Sequence, residues 1–134
     1  MTKSVMIVDD SPVMRSFVKR TIAVAGLEIS SCIEACNGRE ALERLRSAAQ
    51  SGTRIDLILT DINMPVLDGE GLLQELRRDP DLGRIPVVVV STDSTDQRVH
   101  TLMRLGASDY VRKPFPPEKL FEVLSGLFPE WSGP

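Results

Sequence analysis

Residues 86–90 read Pro-Val-Val-Val-Val. Four consecutive valines leave no polar face for solvent, so a strand built from them must be covered on both sides. Strands of that kind belong to parallel sheets, where crossover helices cover both faces. The run ends at Ser91-Thr92-Asp93. Val5-Met6-Ile7-Val8 has the same character and ends at Asp9-Asp10. Residues 55–59 are apolar except for Asp56, and that strand stops at Asp61. Asp109-Tyr110-Val111 is a short strand that Lys113-Pro114-Phe115 breaks, and residues 29–35 form a weaker candidate.

Helical periodicity fills the gaps. Ser11-Pro12 supplies an N-cap and a first helical position, and Val13, Met14, Phe17, Val18, Ile22 and Ala25 follow at helical spacing up to Gly26. After Asn37-Gly38, residues 40–46 place Ala41, Leu42 and Leu45 on one face, and Ser51-Gly52 ends that helix. Pro65 forces a turn after Asp61, and Asp68-Gly69 reads as a cap and helix start, with Leu72, Leu73 and Leu76 inward. Ser94-x-x-Gln97 reads as a capping box for a fourth helix with Val99, Leu102, Met103 and Leu105 inward. Pro117 starts a fifth helix that carries apolar residues to Phe128.

Five strands alternating with five helices predict an α/β fold, a doubly wound parallel sheet covered on both faces. The length of 134 residues suits one domain, residues 1–128, with 129–134 as a tail. A net charge of −3 and the absence of any Lys/Arg run longer than two disfavour nucleic-acid binding. No apolar stretch approaches the ~20 residues of a membrane span, and the amino terminus lacks a signal-peptide pattern, so a cytoplasmic protein is expected. Cys32 and Cys36 would lie about 13 Å apart along one strand, beyond the ~7 Å limit for a disulfide, so two free thiols are expected.

Parallel strands bring their carboxyl ends to one edge, where open α/β sheets bind ligands. That edge would collect Asp9, Asp10, Asp61, Ser91 and Lys113. Crowded carboxylates repel, and a divalent cation reverses that term. Oxygen ligands without His or Cys point to magnesium. Asp61 then suits a nucleophile toward phosphorus, with Lys113 and the Ser91 hydroxyl facing the transferring oxygens.

Asp9-Asp10, Asp61-x-Asn63-Met64-Pro65-x-x-Asp68-Gly69, Ser91 and Lys113-Pro114-Phe115, in that order, resemble the receiver domain of two-component response regulators. The resemblance spans residues 5–128. It implies the flavodoxin-like (βα)5 fold with strand order 2-1-3-4-5. It implies that Asp61 is the phosphoacceptor, taking a phosphoryl group from a histidine kinase or histidine phosphotransfer protein. Magnesium would be held by Asp10, Asp61 and the Asn63 carbonyl, with Asp9 acting mainly through water. Lys113 would contact the phosphoryl group across a cis Lys113-Pro114 bond, and Ser91 with Tyr110 would form the switch pair. Thr92 departs from the very small residue usual after the switch hydroxyl. Asn63 and Asp93 would flank the path of attacking water and tune dephosphorylation. Output would be a docking surface on the fourth helix, fifth strand and fifth helix, including Arg104, Arg112 and Lys119, open to a downstream protein.

Two other classes fit the same pattern less well. An Asp-nucleophile phosphohydrolase of the haloacid-dehalogenase type wants a second acid where Asn63 stands, and a cap domain. A flavodoxin-like cofactor binder wants a Gly- or Ser/Thr-rich phosphate loop where Asp9-Asp10-Ser11-Pro12 stands.

Overall fold

The computed structural model describes residues 3–92 and 95–131. In chain order these form β1 (Lys3–Val8), α1 (Pro12–Val24), β2 (Ile29–Ala35), α2 (Gly38–Gln50), β3 (Leu57–Thr60), α3 (Gly69–Arg78), β4 (Val87–Ser91), α4 (Asp96–Arg104), β5 (Asp109–Arg112) and α5 (Pro117–Leu127), then a 3-10 turn at Pro129–Trp131. The five strands make one sheet in the order β2-β1-β3-β4-β5, and every neighbouring pair is parallel. The parallel sheet is the one the sequence pattern predicts, and its flavodoxin-like strand order is the one the resemblance implies.

The pleat divides the core. Met6, Val8, Ile58, Val87 and Val89 pack with Leu42 and Leu45 of α2, Leu72, Leu73 and Leu76 of α3, and Leu102 of α4. Val5, Ile7, Leu57, Leu59, Val88, Val90 and Val111 pack on the other face, with Val18 and Ile22 of α1 and Leu120, Val123 and Leu124 of α5. The valine run therefore serves both layers, alternate residues to each, which is why no polar residue interrupts it.

Local chemistry sets the helix starts. The side chains of Ser11, Asn37, Asp68 and Thr95 accept from the N–H of Met14, Glu40, Gly71 and Arg98, three residues on in each case. Three details differ from expectation. First, α2 starts at Gly38, before residue 40, because the Asn37 side chain caps it, and it runs to Gln50, ending at Ser51-Gly52 as expected. Second, α4 is capped by Thr95 and not by Ser94, which lies outside the described residues. Third, the apolar stripes are narrower than the spacing suggested: Val13 is 77% exposed and Met103 40%. In α4 only Leu102 is buried, which makes it the helix least anchored by apolar packing.

Arg77 escaped notice in the sequence. Its guanidinium donates to the carbonyls of Gly83, Ile85 and Gly106, tying the end of α3 to the entries of β4 and β5. Burial pulls its pKa below the usual arginine value. At the amino-terminal edge, Lys3 pairs with Glu130 at 2.6 Å and lies 4.9 Å over the Phe128 ring, so the 3-10 turn folds back on β1. Both cysteines are free.

Gly69, the first residue of α3, has no room for a side chain: a Cβ there would lie 2.3 Å from the Asp61 carbonyl oxygen. Gly126 in α5 has nothing within 4 Å. Gly69→Ala is therefore expected to lose about 1–3 kcal/mol of stability by overpacking. Gly126→Ala should gain about 0.5 kcal/mol through reduced backbone entropy of the unfolded chain. Urea unfolding of the two variants decides this; equal stabilities would mean that the turn after Asp61 is not as tight as described.

Candidate functional site

Val8 of β1 pairs with Thr60 of β3, so the next residues, Asp9 and Asp61, leave the sheet side by side. Each is also held by its backbone: Asp9 N–H donates to the Ala35 carbonyl and Asp61 N–H to the Val8 carbonyl. Lys113 comes from further away. It follows β5, its N–H donates to the Ser91 carbonyl, and its long side chain returns toward β1 and β3. Lys113 Nζ stands 2.9 Å from Asp9 Oδ2 and 3.4 Å from Asp61 Oδ2.

Asp9 is 3% exposed and Lys113 8%. A charge removed from water to that degree requires a partner, and the two supply it to each other. The second oxygen of each acid is used by backbone. Asp9 Oδ1 accepts from the Ser11 N–H at 2.9 Å, and Asp61 Oδ1 from the Ile62 N–H at 2.7 Å. Asp10 is exposed. One carboxylate oxygen each from Asp9, Asp10 and Asp61 lie within 4.8 Å of one another. Three anions thus face one ammonium group, and the donors are all hard oxygens. That set fits a magnesium ion: it supplies carboxylate ligands and leaves a negative balance for a dication to neutralise.

The acids open into a pocket of about 480 Å³ whose other walls are Met14 and Phe17 of α1, Thr92 and Pro114. Phe17 stacks edge-on to Phe115, with ring centroids 5.6 Å apart, which supports that wall from behind. The Lys113-Pro114 peptide bond is cis, as the resemblance implies. A second cavity, about 340 Å³, lies at the opposite edge between Leu45 and Ile85 and includes none of the predicted site residues.

The loop after Asp61 is braced by main-chain bonds. Gly69 N–H donates to the Ile62 carbonyl and Gly38 N–H to the Leu67 carbonyl, both at 2.8 Å. Between them Leu67 N–H reaches back to the Pro65 carbonyl, and Val66 is held at φ +69° and 75% exposed. A β-branched residue in the left-handed region costs about 1–2 kcal/mol, and nothing in the sequence pattern foretold it.

The predicted residues divide into three groups. Asp9, Asp10, Asp61 and Lys113 come together directly. Ser91, buried at the end of β4, shares the parity of Val87 and Val89 and hence the sheet face toward α4; Tyr110 of β5 is half-buried against the same core layer. Asn63 is exposed in the loop after β3, and Asp93 lies outside the described residues. Arg104, Arg112 and Lys119 are exposed on α4, β5 and α5. Sequence reasoning missed Arg15, whose guanidinium donates to the Asp9 carbonyl and to Glu34 Oε1. A bond to a main-chain carbonyl leaves no signature in residue spacing.

Comparison with known proteins identifies the family. The chain is 34% identical to the chemotaxis protein CheY1 of Helicobacter pylori over 119 residues, 89% of this chain and 91% of that protein. It is 34% identical to the chemotaxis protein CheY of Thermotoga maritima over 126 residues, 93% of this chain and 97% of that one. Its fold superposes on CheY of Borrelia burgdorferi, in a CheX-CheY complex with beryllofluoride and magnesium, with a TM-score of 0.81 at 25% identity, covering 94% of this chain and 89% of that one. The family model for the response regulator receiver domain matches residues 5–125, and the chain belongs to that family.

Proposed function

We propose that this receiver domain, read as residues 1–128, accepts a phosphoryl group on Asp61 from a phosphohistidine in a sensor kinase or histidine phosphotransfer protein. The observation that carries the reading is the position of Asp61. It is the acid that is open to the pocket and also within 3.4 Å of Lys113, while Asp9 beside it is buried and engaged at 2.9 Å. In the step itself, an Asp61 carboxylate oxygen forms a bond to phosphorus as the phosphorus–nitrogen bond of the donor breaks. The leaving imidazole keeps that electron pair and takes up a proton from solvent. Lys113 stands where it can pair with the transferring oxygens, stabilising charge as it spreads. A magnesium ion held by Asp10, Asp61 and the Asn63 carbonyl, with Asp9 at one remove, would neutralise charge on the same oxygens. The beryllofluoride and magnesium on the related Borrelia CheY support that assignment by analogy.

Transfer is the domain's only chemistry in this reading, and its turnover is self-dephosphorylation. Asn63 and Asp93, two residues beyond Asp61 and Ser91, are proposed to flank the water that hydrolyses the acyl phosphate. Output passes through Ser91 and Tyr110, which share the α4 side of the sheet. Movement of the Ser91 hydroxyl toward the phosphoryl group leaves space for Tyr110 to turn inward. The face that includes Arg104, Arg112 and Lys119 then changes shape for a downstream protein. No helix of the described residues is long and apolar enough to cross a membrane, and a cytoplasmic setting with a kinase is the one proposed.

Intact-mass measurement with magnesium and a small phosphodonor should show a gain of about one phosphoryl group in the wild type, as an aspartyl-phosphate intermediate requires, and none in Asp61→Ala. Undiminished labelling of that variant would refute Asp61. Ser91→Ala is expected to retain labelling while losing the beryllofluoride-induced shifts of α4 and β5 amides. A phosphoryl mimic must act through contacts that differ between two states, so shifts confined to the pocket in the wild type would refute the Ser91–Tyr110 route.

A further inference from the structure

Asp10 carries much of the proposed metal site, yet among the described residues nothing holds its carboxylate; it is exposed, and only its backbone determines where it stands. From outside the turn, that backbone is held by the side chain of Arg15. The Asp9–Asp10 peptide presents its carbonyl to Arg15 Nη1, while Arg15 Nε bonds Glu34 Oε1 of β2 at 2.9 Å. Arg15 is itself fixed in the first turn of α1, where its N–H donates to the Ser11 carbonyl at 3.0 Å, and its side chain is only 16% exposed. The rest of Asp9 is gripped as well: its N–H by the Ala35 carbonyl, its carboxylate by the Ser11 N–H and Lys113. Rotation about the Asp9 Cα–C bond would carry the Asp9 carbonyl with it and swing the Asp10 Cα and its carboxylate relative to Asp61. Arg15 blocks that rotation.

We infer that Arg15 is a positioning residue for the metal site: by holding the Asp9 carbonyl it sets the Asp10 carboxylate at the distance from Asp61 that one divalent cation can span. This rests on the magnesium reading above. A partner one shell out from a ligand is worth about 10- to 100-fold in metal affinity. Glu34, by contrast, is 40% exposed and serves to hold the guanidinium; its pair with Arg15 belongs to the weak class of partly solvated ion pairs.

The test uses the whole chain and magnesium chloride, with calorimetry for affinity and amide NMR for geometry. Arg15→Met should bind magnesium about tenfold or more weakly. It should also displace the Asp10 amide signal already in the metal-free protein. Arg15→Lys, which keeps one donor for the carbonyl, should recover most of the loss, and Glu34→Gln should change affinity by less than about threefold. Wild-type affinity in folded Arg15→Met overturns the inference. If that variant does not fold, the wild-type Arg15 Nε–H signal decides: it should shift on magnesium addition, and an unmoved signal overturns the inference. A wild-type protein that binds no magnesium overturns the metal assignment itself. In that event a displaced Asp10 amide in metal-free Arg15→Met still upholds the positioning role, and an undisplaced one ends it.

Discussion

Three carboxylates and one ammonium group share the carboxyl edge of the sheet, and the rest of the site follows from that imbalance. Unit charges about 4–5 Å apart at an effective dielectric near 20 interact by roughly 3–4 kcal/mol. Asp9, Asp10 and Asp61 lie within that range of one another, and Lys113 offsets only part of their repulsion. Such a pocket favours a divalent cation that completes its charge balance. Asp9 and Asp61 each accept a bond from a backbone N–H, of Ser11 and Ile62, which keeps those two carboxylates in place.

Rigidity is graded away from this point. β1 and β3 lie in the middle of the sheet with their side chains almost wholly buried, so Asp9 and Asp61 stand on the firmest part of the molecule. The turn after Asp61 is braced at Leu67 and Gly69 but holds Val66 in a costly conformation. Further out, α4 buries one residue and is tied at its far end by the Arg77–Gly106 bond and at its near end by Arg98, 3.4 Å from Glu70 of α3. A change in charge at the firm centre can therefore be expressed at a lightly anchored helix, because elements with little buried apolar area reorganise at the lowest cost.

The sheet and its acids were legible in the sequence for a physical reason. Central parallel strands must be apolar on both faces, so polar residues mark where they end, and in this fold Asp9, Asp61 and Ser91 mark those ends next to the candidate site. Contacts made to backbone were not legible. Arg15 and Arg77 bond main-chain carbonyls that every residue possesses, and the left-handed Val66 is imposed by its turn against the preference of its side chain. Apolar spacing likewise overstated burial at Val13 and Met103, since a helix on a sheet buries a narrower stripe than the alternation of its residues suggests. The Thr95 cap is a similar case: a threonine hydroxyl serves as a cap as a serine hydroxyl does, and the capping-box pattern pointed to the residue before it.

The charge-imbalance account makes a direct thermodynamic claim, which thermal unfolding of the wild type and Asp10→Asn tests at matched ionic strength with and without magnesium. Removing one of the three anions should make the metal-free variant more stable than the metal-free wild type. A ligand that binds only the folded state stabilises it by RT ln(1 + [L]/Kd), so magnesium should raise the wild-type midpoint and leave that of the variant nearly unchanged. A metal-free Asp10→Asn protein less stable than wild type, together with no magnesium-dependent rise in the wild type, would contradict the account.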